Sequence, residues 1–475
     1  MEFQDFTTKK EVLPIVHSER LNTTSSTNLT SSNGLDGLET EKSYDPFEVR
    51  KVQHPNSDIG AMVHLLKSSL GMGILAMPHA FKNGGLAFGM VGTLLVGFLC
   101  THCVNMLVYS SHILCQRNKI PSLDFAGTAQ LAFQSGPQKF RAWASLAKMF
   151  VNGAIMVTYY SGCVVYVVFI SASIKQVYVQ KVVDHYVASY FTLDVRIYSV
   201  MLLLPLVGLT IIRNLRTLVP FSAIANLCIF ISFGITMYYV FHDLPPIQDR
   251  LLMASHNQLP IFFSTIVFAM EGIGAVMPVE NSMKHPAHFL GCPGVLNISM
   301  FIIVTLYAVI GFFGYFKYGN ETQGSITLNL PVEEILAQVV KVFIALGILC
   351  SYGLNIFVPN EILWQMIEHH FREDWRNRAQ HFFRITVAVV MVSVAIALPN
   401  LGPIISLVGA VCFSTLGLFI PAVVETVTRW EDSLGFCNWR LWKNALIVVL
   451  SLGALLSGSY TSILEIVDTY GGHAS

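Results

Sequence analysis

Gly71-Met72-Gly73-Ile74-Leu75-Ala76-Met77-Pro78 and Glu271-Gly272-Ile273-Gly274-Ala275-Val276-Met277-Pro278 are two versions of one pattern. Each places Gly-x-Gly inside a long apolar run and reaches Met-Pro a few residues later. A pair of Gly- and Pro-interrupted apolar segments at matching places in two halves of a chain points to a membrane transport site. Glycine tolerates unwound backbone, positive φ included. Unwinding strips N–H and C=O groups of their partners, and lipid tolerates neither, so the bare groups must be buried in protein or face a wet cavity. The start of a half-helix then offers free N–H groups and partial positive charge. The end of one offers free carbonyls. Together they match an amino acid zwitterion, with N–H groups for the carboxylate and carbonyls for the ammonium. A single Gly-x-Gly reads more readily as a close helix contact, because small residues are common where membrane helices meet. The matched pair favours the site.

The surrounding sequence sets these segments in a membrane. Of 475 residues, 53% are hydrophobic and 12% charged, about half the ~25% charged residues of a soluble domain. Mean hydropathy is +0.57. The apolar runs are long enough to cross a ~30 Å hydrocarbon core as helices. This excludes a soluble enzyme, a nucleic-acid binder and a secreted disulfide scaffold. The 29 basic and 29 acidic residues cancel, so there is no polyanion-binding field. Most of the nine cysteines lie inside apolar runs, at spacings with no metal signature.

Eleven spans are expected, at roughly 57–83, 86–113, 142–174, 195–212, 217–241, 258–282, 293–316, 333–364, 383–399, 402–424 and 441–465. Continuous runs of this length exclude a β-barrel, so the fold class is an all-α membrane protein. The two interrupted segments are spans 1 and 6. They open the first and second sets of five, an inverted five-plus-five arrangement with both opening helices broken. Residues 1–56 are expected to form a disordered cytosolic tail, residues 57–465 the transmembrane domain and residues 466–475 a short extracytosolic tail. No apolar stretch follows a basic start, so no cleavable signal is expected. With the N-terminus inside, inner loops hold fourteen Lys and Arg, among them Arg117, Arg213, Lys284, Arg376 and Arg440. Outer loops hold four, Lys175, Lys181, Arg250 and Lys317, which fits the positive-inside rule. The sequon Asn320-Glu321-Thr322 then faces outside as a glycan acceptor.

Two stretches carry a family resemblance. His64-Leu65-Leu66-Lys67-Ser68-Ser69-Leu70-Gly71-Met72-Gly73-Ile74-Leu75-Ala76-Met77-Pro78 resembles the first span of the proton-coupled amino acid transporters, a subgroup of the amino acid/auxin permease family. Phe268-Ala269-Met270-Glu271-Gly272-Ile273-Gly274-Ala275-Val276-Met277-Pro278-Val279-Glu280-Asn281-Ser282-Met283 is similar to that family's sixth span, and Tyr44-Asp45-Pro46-Phe47 to a juxtamembrane segment of the subgroup. The resemblance covers about residues 44–465. It implies eleven spans, an inverted repeat, and proton-driven movement of small neutral amino acids toward the cytosol, from outside the cell or from the lysosome lumen. Members often carry cysteines in outer loops; the outer loops at 175–194 and 317–332 have none here.

His64 precedes Gly71 by seven residues, so positions 64, 67/68 and 71 share a helical face. An imidazole with a reference pKa near 6.5 can load a proton outside and release it inside, and the resemblance places the coupling histidine here. Glu271 stands at the break itself, where a carboxylate must be partnered or protonated. It can bind the substrate ammonium, share the proton or hold the broken helix. The expected substrate site is Ser68, Gly71, Met72, Gly73, Glu271, Gly272 and Gly274, with Tyr159 of span 3 as a cap. Tyr160, and Ser351, Tyr352 and Asn355 of span 8, are further pocket candidates. Lys67 is expected to reach a carboxylate or a wet path. Lys341 is expected to snorkel, and Glu280, Glu361 and Glu425 to be solvated at inner span ends. His369-His370 reads as part of a charged loop rather than a metal site. Tyr44-x-x-Phe47 also fits a cytosolic sorting tetrapeptide.

The expected function is symport of a proton with glycine-, alanine- or proline-like amino acids by alternating access. No cofactor or metal is called for, and no Walker-type run is present. The lipid bilayer is the other partner, at the plasma membrane or a lysosomal or endosomal membrane. The principal rival is a non-transporting amino acid sensor that signals through its cytosolic tail. A channel and a membrane enzyme fit less well. A sodium-coupled carrier stays within the transporter class, since sodium needs only oxygen ligands at the helix breaks.

Overall fold

A computed structural model of the chain describes residues 44–471, apart from 51, 53, 54, 70, 186–193, 214, 247–249, 271 and 433. Glu271 and most of the N-terminal tail therefore lie outside the described residues. Among the described residues there is no β-strand, only an isolated bridge between Asn56 and Met283. Among the described residues, nine helices are long and apolar enough to cross a membrane, and a bent pair supplies a tenth. The fourth expected span is the short apolar segment Val195–Ile211, which falls below that length. The count of eleven thus rests on a span too short to qualify by length alone.

Span 1 is two helices, Asp58–Ser69 and Met72–Gly84, bent by 52° at a break between them. Span 6 stops at Ala269 and resumes at Ile273, running to Asn281. Span 2 (Leu86–Asn118) and span 7 (Val295–Tyr318) pack on each other, and span 7 also packs on the second half of span 1. Span 8 (Ile335–Ile367) lies between span 3 (Ala144–His185) and span 5 (Leu215–Phe241). Span 10 runs from Leu401 to Thr428 and widens into π-helical turns at Gly409–Phe413 and Thr415–Phe419, a distortion that recurs at functional sites. The last helix continues to Gly471, so much of the segment expected as a C-terminal tail is helical. A further helix, Phe125–Ser135, lies between spans 2 and 3; Asp124 caps it by accepting from the Gly127 N–H at 2.7 Å.

Membrane burial dictates how polar groups are met. Glu280 is 1% exposed and accepts from Arg50 at 3.0 Å and pairs with His112 at 2.9 Å. Glu425 accepts from Lys443 at 2.8 Å. Arg384, fully buried, pairs with Glu361 and donates to the Thr210 and Ile212 carbonyls at 3.0 and 2.9 Å. These three carboxylates are paired rather than solvated, because a lone charge at that depth costs far more than a pair. Lys341 does not snorkel: it is 1% exposed and donates to the Leu330 carbonyl at 3.0 Å. Tyr44-Asp45-Pro46-Phe47 is not a free extended peptide. Asp45 caps a helical turn, and the Phe47 ring packs edge-on against His112 at 4.9 Å.

Span 10 fits against span 6 only because residue 409 is glycine. A Cβ there would stand 1.9 Å from the Ser264 carbonyl oxygen, whereas at Gly453 it would meet nothing within 4 Å. Gly409→Ala should therefore cost roughly 1–3 kcal/mol, the usual overpacking penalty, and Gly453→Ala should cost nothing measurable. Thermal unfolding of the two purified variants in detergent checks this.

Candidate functional site

The two breaks lie against each other. A Cβ on Gly73 would come within 2.6 Å of the Ala269 carbonyl oxygen, where the first half of span 6 ends. A Cβ on Gly272 would come within 2.6 Å of Ser69 Oγ and 3.3 Å of Ser68 Oγ, where the first half of span 1 ends. Each break thus uses its glycine to admit the other. Gly71 has the unwound backbone expected of glycine at a break, with φ −88° and ψ −130°; the described glycines with left-handed backbone are Gly85, Gly291, Gly319 and Gly435, and none belongs to a break. The motif also supplies an absent Cβ, at Gly73 toward the Ala269 backbone and at Gly272 toward the Ser69 and Ser68 hydroxyls. Close packing, one of the two alternatives set out above, is therefore present at both breaks.

Gly71 stands at the start of Met72–Gly84, and a Cβ there would meet none of the described residues within 4 Å. The first N–H groups of that helix have no partner within the helix itself. Met72 is 2% exposed and points into packed core. Ser68 Oγ donates to the Leu65 carbonyl at 2.8 Å. Beside the breaks is a partly open cavity of about 30 Å³, lined by Ser69, Met270, Gly272, Ile273, Val276 and Phe413 among others. That is room for a water or two and not for an amino acid.

Tyr159 is brought to the break: a Cβ on Gly274 would lie 2.9 Å from its hydroxyl. Tyr160 donates instead to Asn360 Oδ1 of span 8 at 3.0 Å. Asn355 donates to the Tyr166 hydroxyl at 3.2 Å, and Tyr352 is wholly buried. His64 is half-buried, seven residues and so roughly 10 Å along the helix axis from Gly71. It does not sit at the meeting of the breaks. Lys67, expected to seek a carboxylate or water, donates to Ser222 Oγ of span 5 at 2.9 Å. Asn320 is exposed on a short turn, Gly319–Glu321, after span 7.

Sequence reasoning missed Tyr307. This residue of span 7 is completely buried, and its hydroxyl donates to the Ser69 carbonyl and, at 2.7 Å, to the Ala269 carbonyl. Those carbonyls are the last of the two interrupted half-helices. A tyrosine inside an apolar run carries no pattern that would have singled it out. Asn360, wholly buried behind Tyr160, was missed for the same reason.

The family model for transmembrane amino acid transporter proteins matches residues 54–464, both breaks included. The chain belongs to that family. Among curated relatives of this transporter family member, a Drosophila melanogaster protein named proton-coupled amino acid transporter-like protein pathetic is 41% identical over 430 residues, covering 90% of this chain and 89% of the relative. A Caenorhabditis elegans protein named probable amino acid transporter skat-1 is 26% identical over 421 residues, covering 86% and 90%. Of solved structures, MhsT in complex with L-phenylalanine aligns over 86% of this chain and 100% of its own, at 14% identity and a TM-score of 0.47.

The contact between Gly274 and Tyr159 yields a test within this transporter. Gly274→Ala should lower amino acid uptake several-fold by pressing on the Tyr159 hydroxyl. Tyr159→Phe in the same chain should restore part of the loss, since the next ring atom lies 3.5 Å away. Initial uptake rates of the single and double variants, scaled to surface protein, check it.

Proposed function

We propose that this transporter family member carries small neutral amino acids together with a proton toward the cytosol by alternating access, and that the substrate binds between the two breaks. The observation that carries the reading is the meeting of two interrupted helices deep in the bundle, beside an open face at Gly71. Free N–H groups at the start of Met72–Gly84 suit a carboxylate, and the half-helix carbonyl ends nearby suit an ammonium. The printed name of the 41% identical fruit-fly relative supports the proton.

His64 is the proposed proton carrier, with Glu271 as its partner at the break. The roughly 10 Å between His64 and Gly71 makes the histidine a loading station rather than a substrate ligand. Its protonation then favours closure of the outward-open form around substrate, and deprotonation inside releases both. A zwitterion has no net charge, so one proton per cycle makes transport electrogenic. One pH unit is worth ~1.4 kcal/mol and 100 mV about 2.3 kcal/mol. Together they support roughly several-hundredfold accumulation at tenfold per ~1.4 kcal/mol.

The test is uptake of labelled alanine, glycine and proline into proteoliposomes. Outer pH is stepped from about 7.5 to about 5.5, either side of the ~6.5 imidazole reference, with and without sodium. Uptake should rise several-fold in acid, carry inward current and ignore sodium. His64→Ala should lose most of the acid stimulation while still binding alanine. Binding without flux for every amino acid would assign the chain to sensing instead.

A further inference from the structure

The last carbonyls of an α-helix have no partner within it, and a helix C-terminus carries a partial negative charge of about half an electron. Two such ends, at Ser69 and Ala269, converge inside this bundle. What joins them is a single phenol, the fully buried Tyr307, whose hydroxyl proton is shared between both carbonyl oxygens. Half-helix ends and unwound carbonyls that converge at membrane depth are the groups from which transporters build alkali-cation sites. Here the centre of that oxygen cluster is filled from span 7 by a tethered, neutral O–H.

We infer that the Tyr307 hydroxyl does in this chain what a bound alkali cation does at such a junction: it holds the two helix ends in register and makes transport indifferent to sodium. Tyr307 is then a positioning residue that sets ion specificity, distinct from the proton-carrying His64. The inference rests on the transport reading above and deepens it. It needs no proton transfer at Tyr307, because the hydroxyl only donates. The geometry also explains why the hydroxyl must arrive on a rigid element. Span 7 packs on the second half of span 1, and Gly311 and Gly314, one to two turns beyond Tyr307, let that helix close onto Phe81 and Pro78 with no room for a Cβ.

Removing the hydroxyl leaves two bare carbonyls facing a gap of about one oxygen atom. Tyr307→Phe should therefore acquire a cation response. The experiment measures alanine uptake and thermal unfolding of the purified, full-length wild type and Tyr307→Phe in sodium, lithium and choline chloride at equal ionic strength. Wild type should transport equally in the three salts, with one melting temperature. In choline, Tyr307→Phe should transport at least tenfold more slowly. Sodium or lithium should restore part of that rate, or raise the melting temperature of the variant alone. Tyr307→Phe matching wild type in all three salts would overturn the inference. So would a variant that loses uptake and shows no cation effect on unfolding. Sodium-dependent uptake by wild type would overturn it too, while leaving amino acid transport standing. If wild type transports no amino acid, the transport reading fails, and the unfolding measurement still decides the role of the hydroxyl.

Discussion

A backbone polar group left bare in hydrocarbon costs several kcal/mol, and this chain interrupts two membrane helices near their middles. Everything around spans 1 and 6 answers that constraint. Glycines at 73 and 272 let each break approach the other within the radius of a missing methyl group. Tyr307 supplies a donor to both exposed carbonyl ends. Gly409 brings span 10 hard against the carbonyl of Ser264, one turn before the end of the first half of span 6. Among the described residues, the breaks are held by neighbouring elements.

Away from the breaks, charge is handled by pairing. Arg50 and His112 meet Glu280, Lys443 meets Glu425, and Arg384 meets Glu361. The Glu280 pairs tie together segments distant in the chain, and the other two join consecutive spans. Arg50 precedes span 1, and Glu280 sits at the end of span 6; Asn56 and Ser282 add paired backbone and side-chain hydrogen bonds between the same two segments at 2.8 and 2.9 Å. The approach to span 1 is therefore fastened to the second half of span 6. A rocking mechanism would carry those two pieces together.

The spans were legible because apolar length is a one-dimensional signal: most boundaries fall within a few residues of the helix ends found. The exceptions have physical causes. Span 9 begins at Glu373, ten residues before its apolar stretch, because a polar amphipathic start continues the helix beyond the hydrocarbon. Span 4 is too short to qualify by length. The Gly-x-Gly pairs located the breaks, and Gly71 has the unwound backbone expected there; the close contacts that Gly73 and Gly272 permit were the part that local sequence did not specify. Tyr307, Asn360, and the partners of Glu280 and Lys341 were invisible for a shared reason. Their meaning lies in which distant residue they touch, and no local spacing encodes that.

The central claim is that the opening beside Gly71 is where substrate sits. Because a Cβ there meets open space, Gly71→Cys should fold and transport. The decisive measurement is alkylation of that cysteine by a membrane-impermeant thiol reagent, read at residue 71 by peptide mass spectrometry, with and without saturating alanine at acid pH. The account predicts labelling that alanine slows several-fold, with Gly453→Cys unaffected by alanine. Equal labelling at residue 71 in the presence and absence of alanine, in a variant that still transports it, would contradict the account.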